Sequence, residues 1–305
     1  MGIKMRINPV YQKELKTSVR SMKTAIILLG YNGLLALFGL FAFYVTFEYE
    51  TGFDGTVNYS DILQIYAILA ATEFGLVLFA VPAMTAASIS GEREKQTLEI
   101  LLTTRLSPLQ IILGKLASSI SMMILLAFSS LPVLALVFAI GGITFSNLLE
   151  FMVLIVATAV FVGSIGIFFS TLFKKTTAAT VSTYGTLLFL GAGTLAILWA
   201  ITIVDGLKSS QLSASTEVYN NADVGNWILI LLINPGITCL AMIEGQIGTG
   251  SRLTTFFRYF GNISTGLQNN WFFLSVIFQL GISVILIFCS AKLLDPLCKR
   301  CHRKK

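Results

Sequence analysis

An all-α integral membrane protein with six transmembrane helices is the fold class the sequence predicts, on three observations. Hydrophobic residues make up 55 % of the 305-residue chain and charged residues only 12 %, and the mean hydropathy is +0.82, more than a water-facing surface accommodates. Six stretches are long and apolar enough to cross a bilayer, which takes about 20 residues at about 1.5 Å rise each. Lys and Arg gather at those ends of the stretches that would share one side of the membrane.

The chain opens on Asn8-Pro9, a cap and first-turn pair, after which Leu15, Val19, Met22 and Ile26 share one helical face while Lys13, Lys16, Arg20 and Lys23 lie elsewhere. This reads as an N-terminal interfacial helix, the plainer alternative being a charged lead-in that only fixes orientation. Two spans follow, at about 25–47 and 62–89, with Pro82 marking a bend in the second.

The polar stretch "SGEREKQTLEILLTTRLSP", Ser90 to Pro108, comes next. Glu92 and Glu94 suit the first turn of a helix and Arg105 its end. Leu98, Leu101 and Leu102 fall on one face, with Glu94, Lys95 and Glu99 elsewhere, so one short amphipathic helix is expected. Ser107-Pro108-Leu109-Gln110 starts a new helix, with Ser107 as cap, Pro108 in the first position and Gln110 placed to bond back.

Span three follows at about 109–140, with Pro132 inside it, and spans four and five at about 147–173 and 176–204. The 205–270 segment, rich in Ser, Thr, Asn and Gly, is longer than a simple connection. Within it Trp227–Met242 is apolar but short, and Asn234-Pro235-Gly236 interrupts it. It is read as lying on or dipping into the outer leaflet, with re-entrant, interfacial and spanning arrangements all open. The last span is about 271–291, and residues 1–305 are expected to form one transmembrane domain.

With six spans and a cytoplasmic N-terminus, eighteen of the 21 Lys and Arg residues fall inside, and only Lys208, Arg252 and Arg258 fall outside. Counting Trp227–Met242 as a full span would put the basic tail outside. The net charge of +6 therefore answers anionic inner-leaflet lipid, and no nucleic-acid partner is expected. The first apolar stretch is too long for a cleavable signal peptide and lacks its small-residue cleavage pattern.

Catalytic chemistry is weakly represented. His302 is the only histidine, and no carboxylate pair or nucleophile constellation is apparent. The tail "CKRCH", with Cys298, Cys301 and His302, matches the pattern of covalent haem attachment, but it sits in a short basic terminus without a pocket and supplies only three of the usual four zinc ligands. No cofactor and no metal is assigned to the chain.

Glu73, near the middle of span two, must face protein or water; it is a candidate pathway residue, or a hydrogen-bonded packing residue beside Thr72 and Gly75. Ser118, Ser119, Ser121, Ser129 and Ser130 in span three, with Gly163 and Gly166 in span four, read as small residues that let helices approach closely.

The run "GEREKQTLEILLTTRLSPLQIILGKLASS", Gly91 to Ser119, closely resembles the segment after the second span of ABC-2 type permeases, the membrane subunits of many ATP-binding-cassette exporters. The "NPVYQKELK" opening, the six spans and the outside segment before the last of them are similar too. The resemblance implies a cytoplasmic coupling helix between spans two and three that docks on an ATPase subunit. Glu92, Arg93, Glu94, Thr97, Leu98, Glu99 and Leu102 are then candidate ATPase-coupling residues, the leucines filling the partner's cleft and the charges setting register.

A phosphate-cradling G-x-x-x-x-G-K-[ST] loop is absent from the sequence, so the chain is not expected to hydrolyse ATP by that route, and the resemblance implies ATP and Mg on a separate ATP-binding subunit, present in two copies. The resemblance further implies a second permease copy or a related permease as partner, a plasma-membrane location with both termini cytoplasmic, and ATP-driven export. The alternative is a non-transporting membrane anchor or sensor subunit for an ATPase complex. The sequence does not name the substrate.

Overall fold

The computed structural model describes residues 9–19, 21–54, 59–103, 106–139, 144–212, 225–248, 251–260 and 264–294, and every regular element among them is helical. Helices long and apolar enough to cross a membrane are Thr24–Thr46, Leu63–Glu94, Pro108–Ala135, Phe145–Leu172, Thr176–Val204 and Trp271–Leu294, six in all among the described residues. They coincide with the six predicted spans to within a few residues. By contact the chain forms two compact units, residues 1–184 with 280–305, and residues 185–279.

The first unit holds α1 (Pro9–Val19), α2 (Met22–Asp54), α3 (Tyr59–Thr85), α4 (Ser90–Glu94), α5 (Leu98–Leu102), α6 (Pro108–Ala139), α7 (Phe145–Leu172) and most of α8 (Thr176–Leu188). Its central member is α7, in which 72 % of the most apolar window is buried, against 22 % for α2. On α2, Leu37, Leu40 and Phe41 are exposed, an apolar face that hydrocarbon solvates and water does not.

What lets α3 lie close on α7 is the absence of side chains where they meet. A Cβ on Gly166 would collide with the Thr85 hydroxyl of α3, and one on Gly163 would meet Thr85 Cγ2 of α3 at 3.6 Å and come within 2.9 Å of Leu116 Cδ1 on α6. Small residues at such crossings replace the hydrophobic drive that lipid does not supply.

The N-terminal helix departs from expectation. It ends at Val19 and α2 begins at Met22, so the face that would have carried Leu15, Val19, Met22 and Ile26 in one stripe is broken. Met22 and Ile26 are exposed, and α1 instead turns Val10, Tyr11 and Glu14 inward. Tyr11 Oη lies 3.0 Å from Ser121 Oγ on α6.

The second unit, residues 185–279, contains a π-helical turn, Phe189–Gly193, running into α9 (Thr194–Leu212), then a 3-10 helix, Gly225–Ile233, α10 (Pro235–Ile247), α11 (Ser251–Phe260), α12 (Thr265–Asn269) and the start of α13 (Trp271–Leu294). Leu198, Ile228, Leu231, Leu232, Ile237, Phe257 and Trp271 form its core.

The 3-10 helix and α10 meet at 89°, a broken span or re-entrant turn. Asn234 sits at the corner: its Oδ1 accepts from the N–H groups of Gly236 and Ile237, and its Nδ2 donates to Gly191 O and Thr194 Oγ1, both at 2.9 Å. Pro235 in the first helical position costs no hydrogen bond there, so the Asn-Pro-Gly interruption read from the sequence is the start of a helix as well as the end of one.

Candidate functional site

Ser90 to Leu102 forms two short helices where one was expected. After α4 the chain turns at Gln96, the one described non-glycine residue with positive φ, at +57°. Thr97 N donates to Glu92 O and Gln96 N to Arg93 O, the paired bonds that close a helix through a left-handed residue. Glycine normally takes that place; a glutamine gives no stop signal, which is why the break was not legible in the sequence.

The segment is fastened to its own chain by consecutive charges, each at a place that suits its sign. Arg93 donates from Nη1 to Phe173 O at 2.9 Å and from Nη2 to Thr171 O at 3.2 Å, a cation on the last carbonyls of α7. Glu94 accepts from Thr176 N at 2.9 Å and from its hydroxyl, an anion on the first turn of α8. Glu92 pairs with Lys115 of α6 at 2.8 Å. Upstream, Ser170 Oγ of α7 accepts from the N–H groups of Ile89 and Ser90.

The leucines are likewise used within the chain. Leu98 is buried among Ile89, Ile111, Ile112, Leu116, Ile167 and Leu294, with Leu101 and Leu102 packed against the same cluster. Lys95, Gln96, Thr97, Glu99 and Ile100 are exposed, Ile100 to 68 %. Beside them opens a groove of about 740 Å³ lined by Arg93, Leu98, Glu99, Leu102, Lys174 and Leu293.

Ser107 and Gln110 behave as read from the sequence: Ser107 Oγ accepts from Gln110 N at 3.3 Å and Gln110 Oε1 accepts from Ser107 N at 3.1 Å, a reciprocal cap at the start of α6. Arg105 and the Cys298, Cys301 and His302 tail lie outside the described residues.

Glu73 is completely buried, and Ser130 Oγ lies 2.6 Å from its Oε1. At the preceding residue of α6, Asn32 Nδ2 of α2 donates to Ser129 Oγ at 2.9 Å. The serine pair on α6 thus bridges to both α2 and α3, in addition to being small. Asn32 escaped the sequence reading because a single amide inside an apolar run has no periodic signature.

A family model described as "ABC-2 family transporter protein" matches residues 8–287. No curated protein matches the chain.

Proposed function

Because the chain belongs to the ABC-2 family of transporter proteins, we propose that it is the permease subunit of an ATP-driven exporter, coupled through the α4–α5 segment to a separate ATPase. The observation that carries this reading is the fastening of that segment. A polar projection tied by Glu92, Arg93 and Glu94 to α6, α7 and α8 is a lever on the membrane helices rather than a slack loop. ATP and Mg belong to the partner, two copies of which engage two permeases, either two of this chain or this chain and a relative.

In this reading the coupling residues divide by what they touch. Thr97 and Glu99, with Ile100 beside them, form the contact surface. Leu98 and Leu102 seat the segment, and Glu92, Arg93 and Glu94 transmit its movement. ATP binding closes the two ATPases, draws the two segments together and biases the helices toward an outward-open state, and hydrolysis resets them. The segment and both termini are placed in the cytoplasm of a plasma-membrane protein.

The test is retention of the ATPase. Ile100→Asp, on an exposed side chain, is expected to lower co-purification of the ATPase about tenfold or more while leaving membrane insertion unchanged. Undiminished retention removes α4–α5 from the docking surface. ATP-dependent loading of inverted vesicles, screened over ions, drugs, peptides and lipids, separates an exporter from a non-transporting anchor.

A further inference from the structure

Lys115 lies in the early turns of α6, is 3 % exposed, and holds two carboxylates, Glu14 of α1 at 2.9 Å and Glu92 of α4 at 2.8 Å. We propose that Lys115 is a positioning residue through which movement of the α4–α5 segment is passed to the N-terminal helix α1, so that α1 follows the ATPase cycle. This rests on the coupling role proposed above for α4–α5.

The asymmetry of exposure makes the lysine the fixed member of the cluster. The carboxylate side chains are 31 % and 29 % exposed, so water solvates each of them in part, whereas the ammonium at 4 % depends on its protein partners. A shift of α4 relative to α6 and α1 strips a buried cation of one partner; moving the three elements together does not.

A cavity of about 430 Å³ lies between α1 and the segment, lined by Val10, Lys13 and Glu14 of α1, by Glu92 and Leu101 of the segment and by Lys115, and the two ion pairs of Lys115 span it. Arg93 is engaged with the carbonyls of Thr171 and Phe173 and does not compete for Glu92. A compact ammonium with radiating donors suits carboxylates on two different elements better than a planar guanidinium, whose fork favours one.

The experiment uses the complex with its ATPase in lipid nanodiscs, with the native cysteines replaced and spin labels on Lys16→Cys of α1 and Thr177→Cys of α8, both exposed positions. The otherwise unsubstituted chain is expected to show an ATP-dependent change in the distance between the labels. Lys115→Met is expected to abolish that change while the ATPase still co-purifies and hydrolyses ATP. Glu14→Gln, which leaves the Lys115–Glu92 pair in place, is expected to abolish it too and stands in if the methionine variant does not fold. A distance change of full size in either variant, or none in the unsubstituted complex, overturns the proposal. An ATPase that never co-purifies with the unsubstituted chain overturns the coupling reading instead.

Discussion

A carboxyl group in the middle of an apolar helix is tolerable only where protein meets it, and Glu73 has that setting: no exposure, and Ser130 Oγ at 2.6 Å across the α3–α6 contact. Its removal therefore acts on the joint between two helices. Glu73→Leu is expected to destabilise the detergent-solubilised protein by about 1–3 kcal/mol, the penalty for losing a buried polar partner, and Glu73→Gln, which keeps shape and hydrogen bonding, by much less. Thermal unfolding of the two variants side by side checks this; a loss for leucine no larger than that for glutamine would mean that the bond to Ser130 does not hold the joint. That Glu73 needed a partner was legible from its position in an apolar run. Which residue supplies it was not, because Ser130 lies 57 positions away and the span carries several serines of equal claim.

At the scale of elements, what could be read depended on whether the residue at a helix end was the usual one. Ser107-Pro108 and Asn234-Pro235 carry ordinary start signals, and both begin helices. The stop at Gln96 and the π-helical turn at Phe189–Gly193 carry none, so a single amphipathic helix and an unbroken fifth span were expected in their places. The Gly191 carbonyl lies inside the π turn, and it accepts both from Asn234 Nδ2 and from the Thr194 hydroxyl. Asn234 thereby holds two irregularities together, the widened turn and the 89° corner, using both ends of one amide. Asn234→Ala is expected to lower stability by about 1–3 kcal/mol, since the N–H groups at the start of α10 lose their acceptor and the Gly191 carbonyl and Thr194 hydroxyl lose a shared donor at once. Asn234→Asp, which retains the cap on α10 but not the donor to Gly191, is expected to remain destabilised. If aspartate melts like the unsubstituted protein, the cap alone fixes the corner and the bond to the π turn is incidental.

For the whole molecule the informative pattern is where the cations gather. Arg93 closes the end of α7, Glu94 caps the start of α8 next to Lys174 and Lys175, the groove beside α5 is shared by Lys174 and Leu293, and Lys115 reaches α1 with its Lys13 and Lys16. Helix ends far apart in sequence thus meet at one end of the first unit, and they carry Lys13, Lys16, Arg93, Lys115, Lys174 and Lys175, all among the basic residues assigned to the inside by charge alone. Six crossings, the number of single helices long and apolar enough among the described residues, would bring the chain back to that end, with the 3-10 helix and α10 as an excursion rather than a seventh span. The positive-inside bias predicts that this end faces the cytoplasm, because loops dense in Lys and Arg resist translocation. In a cysteine-free background, Gln96→Cys is expected to react with a membrane-impermeant maleimide in inverted vesicles and to be silent in right-side-out ones, with Asn269→Cys, exposed on α12, giving the opposite result. Labelling of both positions from one side would require an even number of crossings between them, and with it a full span made from the bent pair at Asn234.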